Sequence, residues 1–595
     1  MLIALAVVLG GWAAVIWLTG GGVVSLGPLR LSSRSPVRPG ILALAFALAA
    51  LTGTTAGDRR AALNRTRVGL DRAAPWGAAL IALAVAAASA IYGEHAAAGA
   101  DASGYLHQAQ LWASGRATLE APLLDDGAWP LAGWEVSPLG FAPSVTPGTL
   151  GPTYAPGLPW LMALGGGLAG EAGRFVWTPL AVGLLTWLTF VVARRDGPPA
   201  VAFAAAVLVA SSPPVLFAAM QAMSDLPGAA LWTATIVALA LPSPRHLAVA
   251  AGCAALALLV RPNLVIVAAL VWLAAVGSAT GTPLSRARRG VGLAVPLAIA
   301  ALAVAWINLR LWGSPLASGY GATDDLFLAA NVPANLANLW RWTVETRAWW
   351  MLAALPGLVL LGLDGHRSRV WPALALVAGI VASYLPYAIF AEWWYLRFYL
   401  PAWPVLAAAA ALLAWRVFAR WSADAAPIVV VALGLAIGVT AVGDARRRGI
   451  FELWRGAQRY PAIAAWVRAE APSGTVVWSV QHSGGLAAAG VATVARWDYV
   501  APDALDARIA RLATQGRAAW VVLDDWEEAA WRQRFAGQAL GRLDWAPLAE
   551  ARVGTARVHV FDLTTPTRAV APALVRVVHG GPWPWTRRPP AGASK

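Results

Sequence analysis

The chain has 595 residues, 59% hydrophobic and 13% charged, with a mean hydropathy of +0.60. Soluble globular proteins carry about 25% charged residues, so a purely soluble protein is excluded, and the high hydrophobicity excludes an intrinsically disordered one. The net charge of +15 comes from arginine, since Lys595 is the single lysine, and the arginines sit mainly in short loops between apolar blocks, a mark of membrane topology more than of nucleic-acid binding.

Apolar blocks of about 16–24 residues predict an α-helical polytopic membrane protein of about thirteen transmembrane helices. They lie near 2–19, 40–57, 75–93, 174–194, 198–218, 225–241, 245–260, 262–278, 291–312, 348–364, 371–391, 398–418 and 425–443. The first block lacks a basic flank and a cleavage site, so it is expected to be a retained span. The apolar stretch 157–169 is too short to span and is expected to be a half-helix returning from the outer face. With the N-terminus inside, Arg59, Arg60, Arg65, Arg67, Arg72, Arg194, Arg195, Arg286, Arg288, Arg289, Arg367, Arg369 and Arg420 fall in inner loops. Arg30, Arg34 and Arg38 go against this pattern. The loop 94–156 then faces outside and holds Arg116 among six acidic residues, Glu94, Asp101, Glu120, Asp125, Asp126 and Glu135.

An odd number of spans also places residues 444–595 outside. Here the pattern alternates: helix-like 461–470 and 505–516, strand-like 475–480, 518–525 and 556–563, which predicts a small α/β domain. From 565 the chain is rich in Pro, Gly and Arg and is expected to be a disordered basic tail. The predicted organisation is therefore 1–93, N-terminal spans; 94–156, first outer loop; 157–443, transmembrane bundle; 444–564, extracytoplasmic α/β domain; 565–595, tail. Heavy Ala, Arg, Gly and Pro usage points to a GC-rich bacterial genome, and a multi-pass protein of this kind is expected in the bacterial cytoplasmic (inner) membrane. The lone Cys253 excludes an intramolecular disulfide and a cysteine metal cluster.

Six stretches carry the polar chemistry. In GADASGYLHQAQLWASG (99–115), Asp101 stands beside Tyr105, His107 and Gln108 at a membrane–water boundary, a setting for general-base work or for a helix cap. PTYAPGLPWLMAL (152–164) brings Tyr154 to a rigid helix entry, and a Pro-Gly helix start would read the same. Asp225 in QAMSDLPGAALW (221–232) opens a span from the outer side, as a cap or as a cavity-lining carboxylate. Arg261, in LVRPN (259–263), can pair a phosphate or snorkel to lipid headgroups. Tyr320 belongs to the Gly- and Ser-rich loop LWGSPLASGYG (311–321), a substrate-contacting loop or an ordinary turn. Glu392 and Arg397 lie among the aromatics of AEWWYLRFYLPAWP (391–404), which can form an interfacial belt or a sugar- and phosphate-binding face. There is no P-loop, GxSxG, HExxH or GxGxxG, and the seven histidines lack ligand spacing. Soluble nucleotide chemistry and nucleic-acid partners are not expected.

Taken in order over residues 90–410, these stretches resemble the GT-C superfamily of integral membrane glycosyltransferases, and within it the bacterial family 39-like or RgtA/B/C/D-like branch. QHSGGL, LDDWEEAAWRQRF and LGRLDW are similar to the extracytoplasmic tail of such proteins. The resemblance implies a transmembrane bundle whose first outer loop carries the essential acidic residue, matched by Asp101. It implies a sugar on a polyprenyl phosphate as donor, inversion at the anomeric carbon, and a lipid, glycan or protein acceptor. Asp101 would deprotonate or orient the acceptor hydroxyl, and Arg261 and Arg397 would bind the lipid phosphate, where cations stabilise the leaving group. Two spans precede the one before the Asp101 loop, where many members have one in all. The loop also lacks an Asp-X-Asp or Asp-Glu pair, so no cofactor is predicted, with a divalent metal left open. A transporter or flippase of a lipid-linked saccharide and an assembly protein gripping envelope polymers are the competing readings. Gln481, His482 and Ser483, after a predicted strand, are a structural loop or a ligand-binding one.

Overall fold

The computed structural model describes residues 35–52, 55–121, 133–241, 243–321, 326–363, 367–491, 493–566 and 571–577, together with Leu123 and parts of the first 33 residues. The expected span at 2–19 lies largely outside this set, as does most of the tail beyond 565. Two strands, β1 (Gly22–Leu26) and β2 (Leu29–Ser33), pair antiparallel before helix α1 (Val37–Thr52).

The bundle is built from α2 (Ala56–Tyr92), α4 (Gly157–Gly173), α5 (Trp177–Arg194), α6 (Pro199–Ala210), α7 (Pro213–Ala219), α8 (Asp225–Leu239), α9 (Pro244–Val260), α10 (Val265–Gly277), α11 (Pro283–Trp312), α12 (Val332–Glu345), α13 (Met351–Leu363), α14 (Arg367–Tyr384), α15 (Trp403–Ala419) and α16 (Ala425–Arg447). Among the described residues five helices are long and apolar enough to cross a membrane, or six if the bent pair α6–α7 is one span. Most remaining predicted spans are occupied by shorter apolar helices. The predicted span 75–93 is the end of α2, 37 residues long. The stretch 157–169 extends to Gly173, with non-helical backbone at Ala169 and Gly170.

Small side chains let these helices approach closely, the usual device where lipid offers no hydrophobic drive. A Cβ on Gly357 of α13 would lie 2.4 Å from the Ala409 carbonyl oxygen of α15, and one on Gly434 of α16 would lie 3.0 Å from the Ala204 Cβ of α6. The α6–α7 pair turns through 61° at Ser211–Pro213, where Pro213 cannot donate to the preceding turn. That bend carries the chain through Met220–Ser224 to the start of α8. There the Met220 carbonyl accepts from Glu94 N–H at 2.7 Å, and Ser89 Oγ donates to the Ala219 carbonyl at 2.5 Å.

Arginines gather at the opposite end of α8. Arg195 donates to the carbonyls of Ile236 and Val237, and Arg289 to that of Leu239. At about 1.5 Å per residue, these groups lie some 20 Å along α8 from Asp225.

Outside the bundle, the first loop holds α3 (Gly99–Ala113) and an antiparallel sheet of β3 (Leu119–Glu120), β5 (Thr149–Pro152) and β4 (Phe141–Pro143), in that spatial order. After α17 (Leu453–Ala457) and α18 (Arg459–Glu470), the C-terminal residues form a six-stranded mixed sheet. Its strands are β6 (Val476–Trp478), β7 (Val494–Ala495), β8 (Ala519–Asp524), β9 (Ala549–Val553), β10 (Ala556–Asp562) and β11 (Ala573–Val575), in the order β11-β9-β10-β8-β6-β7. Strand β8 is buried at all six positions, as a strand covered on both faces requires. Helices α19 (Ser483–Ala488), α20 (Leu505–Thr514) and α21 (Asp525–Arg534) complete the region.

Candidate active site

Helix α3 starts at Gly99, whose φ of +58° lies in the left-handed region that favours glycine. Asp101 is in its first turn. The Asp101 side chain does not cap the helix: the N-cap is Ala98, with no side-chain cap bond. Instead its Oδ1 accepts from the Tyr154 hydroxyl at 2.9 Å, and its Oδ2 pairs with Arg397 Nη2 at 3.0 Å. The carboxylate remains 29% exposed, enough to meet a ligand.

Tyr154 reaches Asp101 because Gly104 has no side chain. A Cβ on Gly104 would fall 2.2 Å from the Tyr154 ring. Gln108 Nε2 donates to the Tyr154 carbonyl at 3.1 Å and fixes the backbone as well. Tyr105 packs on Tyr154 at 4.4 Å between ring centroids and donates to Ser224 Oγ at 2.8 Å. Tyr320 meets Tyr154 edge-on at 5.8 Å. Burial pushes the hydroxyls of Tyr105 and Tyr154 above the ordinary tyrosine range, with the Asp101 charge adding to it, so both stay protonated and able to donate.

Arg397 comes from a 3₁₀ helix, Trp393–Ala402, that leads directly into α15. Runs of this kind longer than about four residues are uncommon. It lies over the Tyr395 and Phe398 rings and against Met223 Sδ at 2.6 Å, and its Nε–H is buried with no bonding partner among the described residues. Arg261, at the end of α9, is buried and bonded to Asp225, the first residue of α8. Its Nη2 also donates to the Tyr384 hydroxyl at 3.1 Å, which accepts from Asn263 at 2.9 Å too. Asp225 therefore serves an ion pair and makes no side-chain cap, and Arg261 is directed inward with its charge already matched.

The structure thus brings together Asp101, Tyr105, Gln108, Tyr154, Asp225, Arg261, Tyr320 and Arg397. It sets apart two residues expected with them. His107 lies against Phe141 on the far side of α3 and lines a separate cavity of about 290 Å³ with Arg116 and Glu120. Burial, with Arg116 nearby, lowers its pKa to about 4. Glu392 is exposed at the N-cap of the 3₁₀ helix and makes no bond to Asp101. Sequence reasoning did not single out Tyr384, Asn263, Phe398, Met223 or Ser224; all but Tyr384 were within quoted stretches, and Tyr384 lay inside the predicted span 371–391. A groove of about 560 Å³ lined by Ser144, Trp312, Ser314 and Ser318 adjoins Tyr320. Among the described residues no three His, Cys, Asp or Glu side chains are grouped to hold a metal ion.

No family profile and no curated protein sequence matches the chain. Solved structures do. The apo crystal structure of ArnT from Cupriavidus metallidurans superposes with a TM-score of 0.51 at 13% identity, over 82% of this chain and 98% of that one. The same enzyme bound to undecaprenyl phosphate gives 0.50 over the same shares, also at 13% identity. The apo oligosaccharyltransferase from Archaeoglobus fulgidus gives 0.52 at 13% identity, over 84% of this chain and 75% of that one. The architecture of this chain is the GT-C fold.

Proposed function

We propose that this protein transfers a sugar from a polyprenyl-phosphate donor to an acceptor hydroxyl on the extracytoplasmic face of a bacterial inner membrane, with inversion. The observation that carries the reading is the Asp101 carboxylate, partly open to solvent at one end of an apolar bundle and bonded at once to Tyr154 and Arg397. Support comes from a solved structure of the same fold that binds undecaprenyl phosphate. The arginine-rich loops lie at the other end of α8, which agrees with that end being cytoplasmic and with the C-terminal sheet being extracytoplasmic.

In this reading the acceptor oxygen attacks the anomeric carbon while its proton passes to the Asp101 carboxylate. The bond from that carbon to the phosphate oxygen breaks, and polyprenyl phosphate leaves with the bonding pair. Arg397 supplies the cation that stabilises the departing charge. Its Nε–H is buried and unpartnered among the described residues, so the side chain must shift on donor binding before that group can take a phosphate oxygen. Arg261, expected on the phosphate, is taken up by Asp225 and Tyr384 and instead holds the wall on which Arg397 rests. The groove beside Tyr320, with its tryptophan and serines, is the approach for the acceptor.

The test uses membranes holding equal amounts of wild type and Asp101→Asn, given radiolabelled polyprenyl-phosphate sugars. Labelling of an endogenous acceptor by wild type alone supports both the activity and the base. Equal labelling by both removes Asp101 from the chemistry, and no labelling from any donor counts against the transfer reading itself.

A further inference from the structure

The residues after β6 form a seat for α3. Ser483 Oγ accepts from the Leu139 N–H at 3.0 Å and donates to the Val480 carbonyl at 2.7 Å. A Cβ on Gly484 would lie 2.2 Å from Ser103 Oγ and 2.8 Å from the Leu139 carbonyl oxygen. One on Gly485 would lie 2.8 Å from the Ala97 carbonyl oxygen. These are separations that real Cβ atoms do not adopt, and the atoms they meet are backbone or the buried Ser103, whose Cβ also lies 2.9 Å from the added one and does not move with rotation of its hydroxyl. Ser103 is fully buried and stands two residues from Asp101.

The seat is itself anchored. Ser479 Oγ donates to the Val522 carbonyl of β8 at 2.9 Å, and accepts from the His482 N–H at 3.2 Å. Gln481 Nε2 donates to the Tyr460 hydroxyl at 2.9 Å, and its backbone N–H donates to Glu527 at 3.2 Å. Arg459 pairs with Asp524, the last residue of β8, at 2.9 Å. The first turn of α3 is thus held between this anchored turn on one side and Tyr154 with Arg397 on the other.

We infer that Gly484 is a positioning residue for the transfer centre: its missing side chain lets the C-terminal region press against the first turn of α3 and keeps Asp101 in register with Tyr154 and Arg397. The inference rests on the transfer reading above. Added bulk at 484 pushes on Ser103 and moves the Asp101 carboxylate relative to two partners fixed elsewhere, and a misplacement of about 1 Å at reacting groups can cost about 10²-fold in rate.

The test compares the full-length protein, wild type, Gly484→Ala, Gly484→Ala with Ser103→Gly, and Gly537→Ala, in detergent and in membranes. Gly537 lies in the same region, and a Cβ there meets nothing within 4 Å. For Gly484→Ala, kcat is expected to fall about 10- to 100-fold with KM for the donor within about threefold, and amide exchange over residues 99–106 to rise. Ser103→Gly should return at least part of the rate and of the exchange protection, and Gly537→Ala should match wild type in both. Unchanged exchange and kcat in Gly484→Ala, no rescue by Ser103→Gly, or an equal loss in Gly537→Ala would overturn the inference. If Gly484→Ala does not fold, Ser483→Ala carries the test. It deprives Leu139 N–H of its acceptor and is expected to lower kcat about threefold to tenfold and raise the same exchange; wild-type values in both would overturn the inference. If wild type transfers no sugar, the transfer reading fails on its own, and the exchange measurements still decide whether Gly484 seats α3.

Discussion

Arg261–Asp225 and Arg397–Asp101 are built from the same two groups, and both guanidiniums rest against the Phe398 ring, at 5.3 and 5.2 Å from its centroid. Their surroundings differ. The first pair is sealed, with side chains 9% and 5% exposed, and its arginine also bonds Tyr384. The second is open on the carboxylate side, 29% exposed, and its arginine has an unused N–H. A buried pair adds little net stability, yet losing one partner leaves an unmatched charge in a low-dielectric site. An open pair can exchange partners with a ligand at small cost. The comparison separates a pair that holds the wall from a pair left open to a ligand.

The largest expected break in that comparison is Asp225→Asn. It leaves Arg261 buried and unpaired and should cost about 3–5 kcal/mol of stability, read as loss of folded protein in a detergent melting series. The double change Asp225→Leu with Arg261→Met should recover most of that loss, because both charges go together. Next comes Asp101→Asn, expected to lower kcat by about 10²–10⁴, the span ascribed to general acid–base groups, while the melting point stays near wild type. Arg397→Lys keeps the charge but loses the planar fork; a drop in kcat of about 10- to 100-fold is expected, with a smaller change for Arg261→Lys in the same assay. Tyr154→Phe removes one hydrogen bond to the carboxylate, worth about 1.5–3 kcal/mol when the partner is charged, and should slow transfer about tenfold or more.

The smallest effect concerns Glu94, just after α2. Burial raises its pKa from 4.5 to about 8, against the opposing pull of Arg459. A carboxyl with a raised folded-state pKa contributes stability that is fully present below about pH 4.5 and is lost as the pH rises through about 8. Melting midpoints measured from pH 5 to pH 9 should fall for wild type more steeply than for Glu94→Gln. Parallel curves would remove Glu94 as the source.

The helical geometry of α3 explains which site residues were legible. Tyr105 and Gln108 follow Asp101 by four and seven positions and share its face, whereas His107 follows by six and points away. Proximity in sequence grouped all four; the 3.6-residue period separates them. Arg397, Tyr154 and Asp101 were each visible as polar groups at the ends of apolar runs, but their mutual bonds join positions 53 and 296 residues apart, beyond any local pattern. Tyr384 was hidden for the opposite reason: its apolar neighbours hide its role, and its partners Arg261 and Asn263 sit on another helix junction. In the C-terminal region the continuous apolar run of β8 and the amphipathic α20 were readable. QHSGGL was not, because its glycines act by what they leave empty.

The bond from Leu139 to Ser483 spans 344 residues of chain. During synthesis, α3 leaves the ribosome long before the turn that holds it exists. The helices between them can insert and pair while Asp101 still lacks its second support, so this centre is completed only once that turn has been made. A chain stopped before that turn would hold its inserted helices and still lack this support for the first turn of α3.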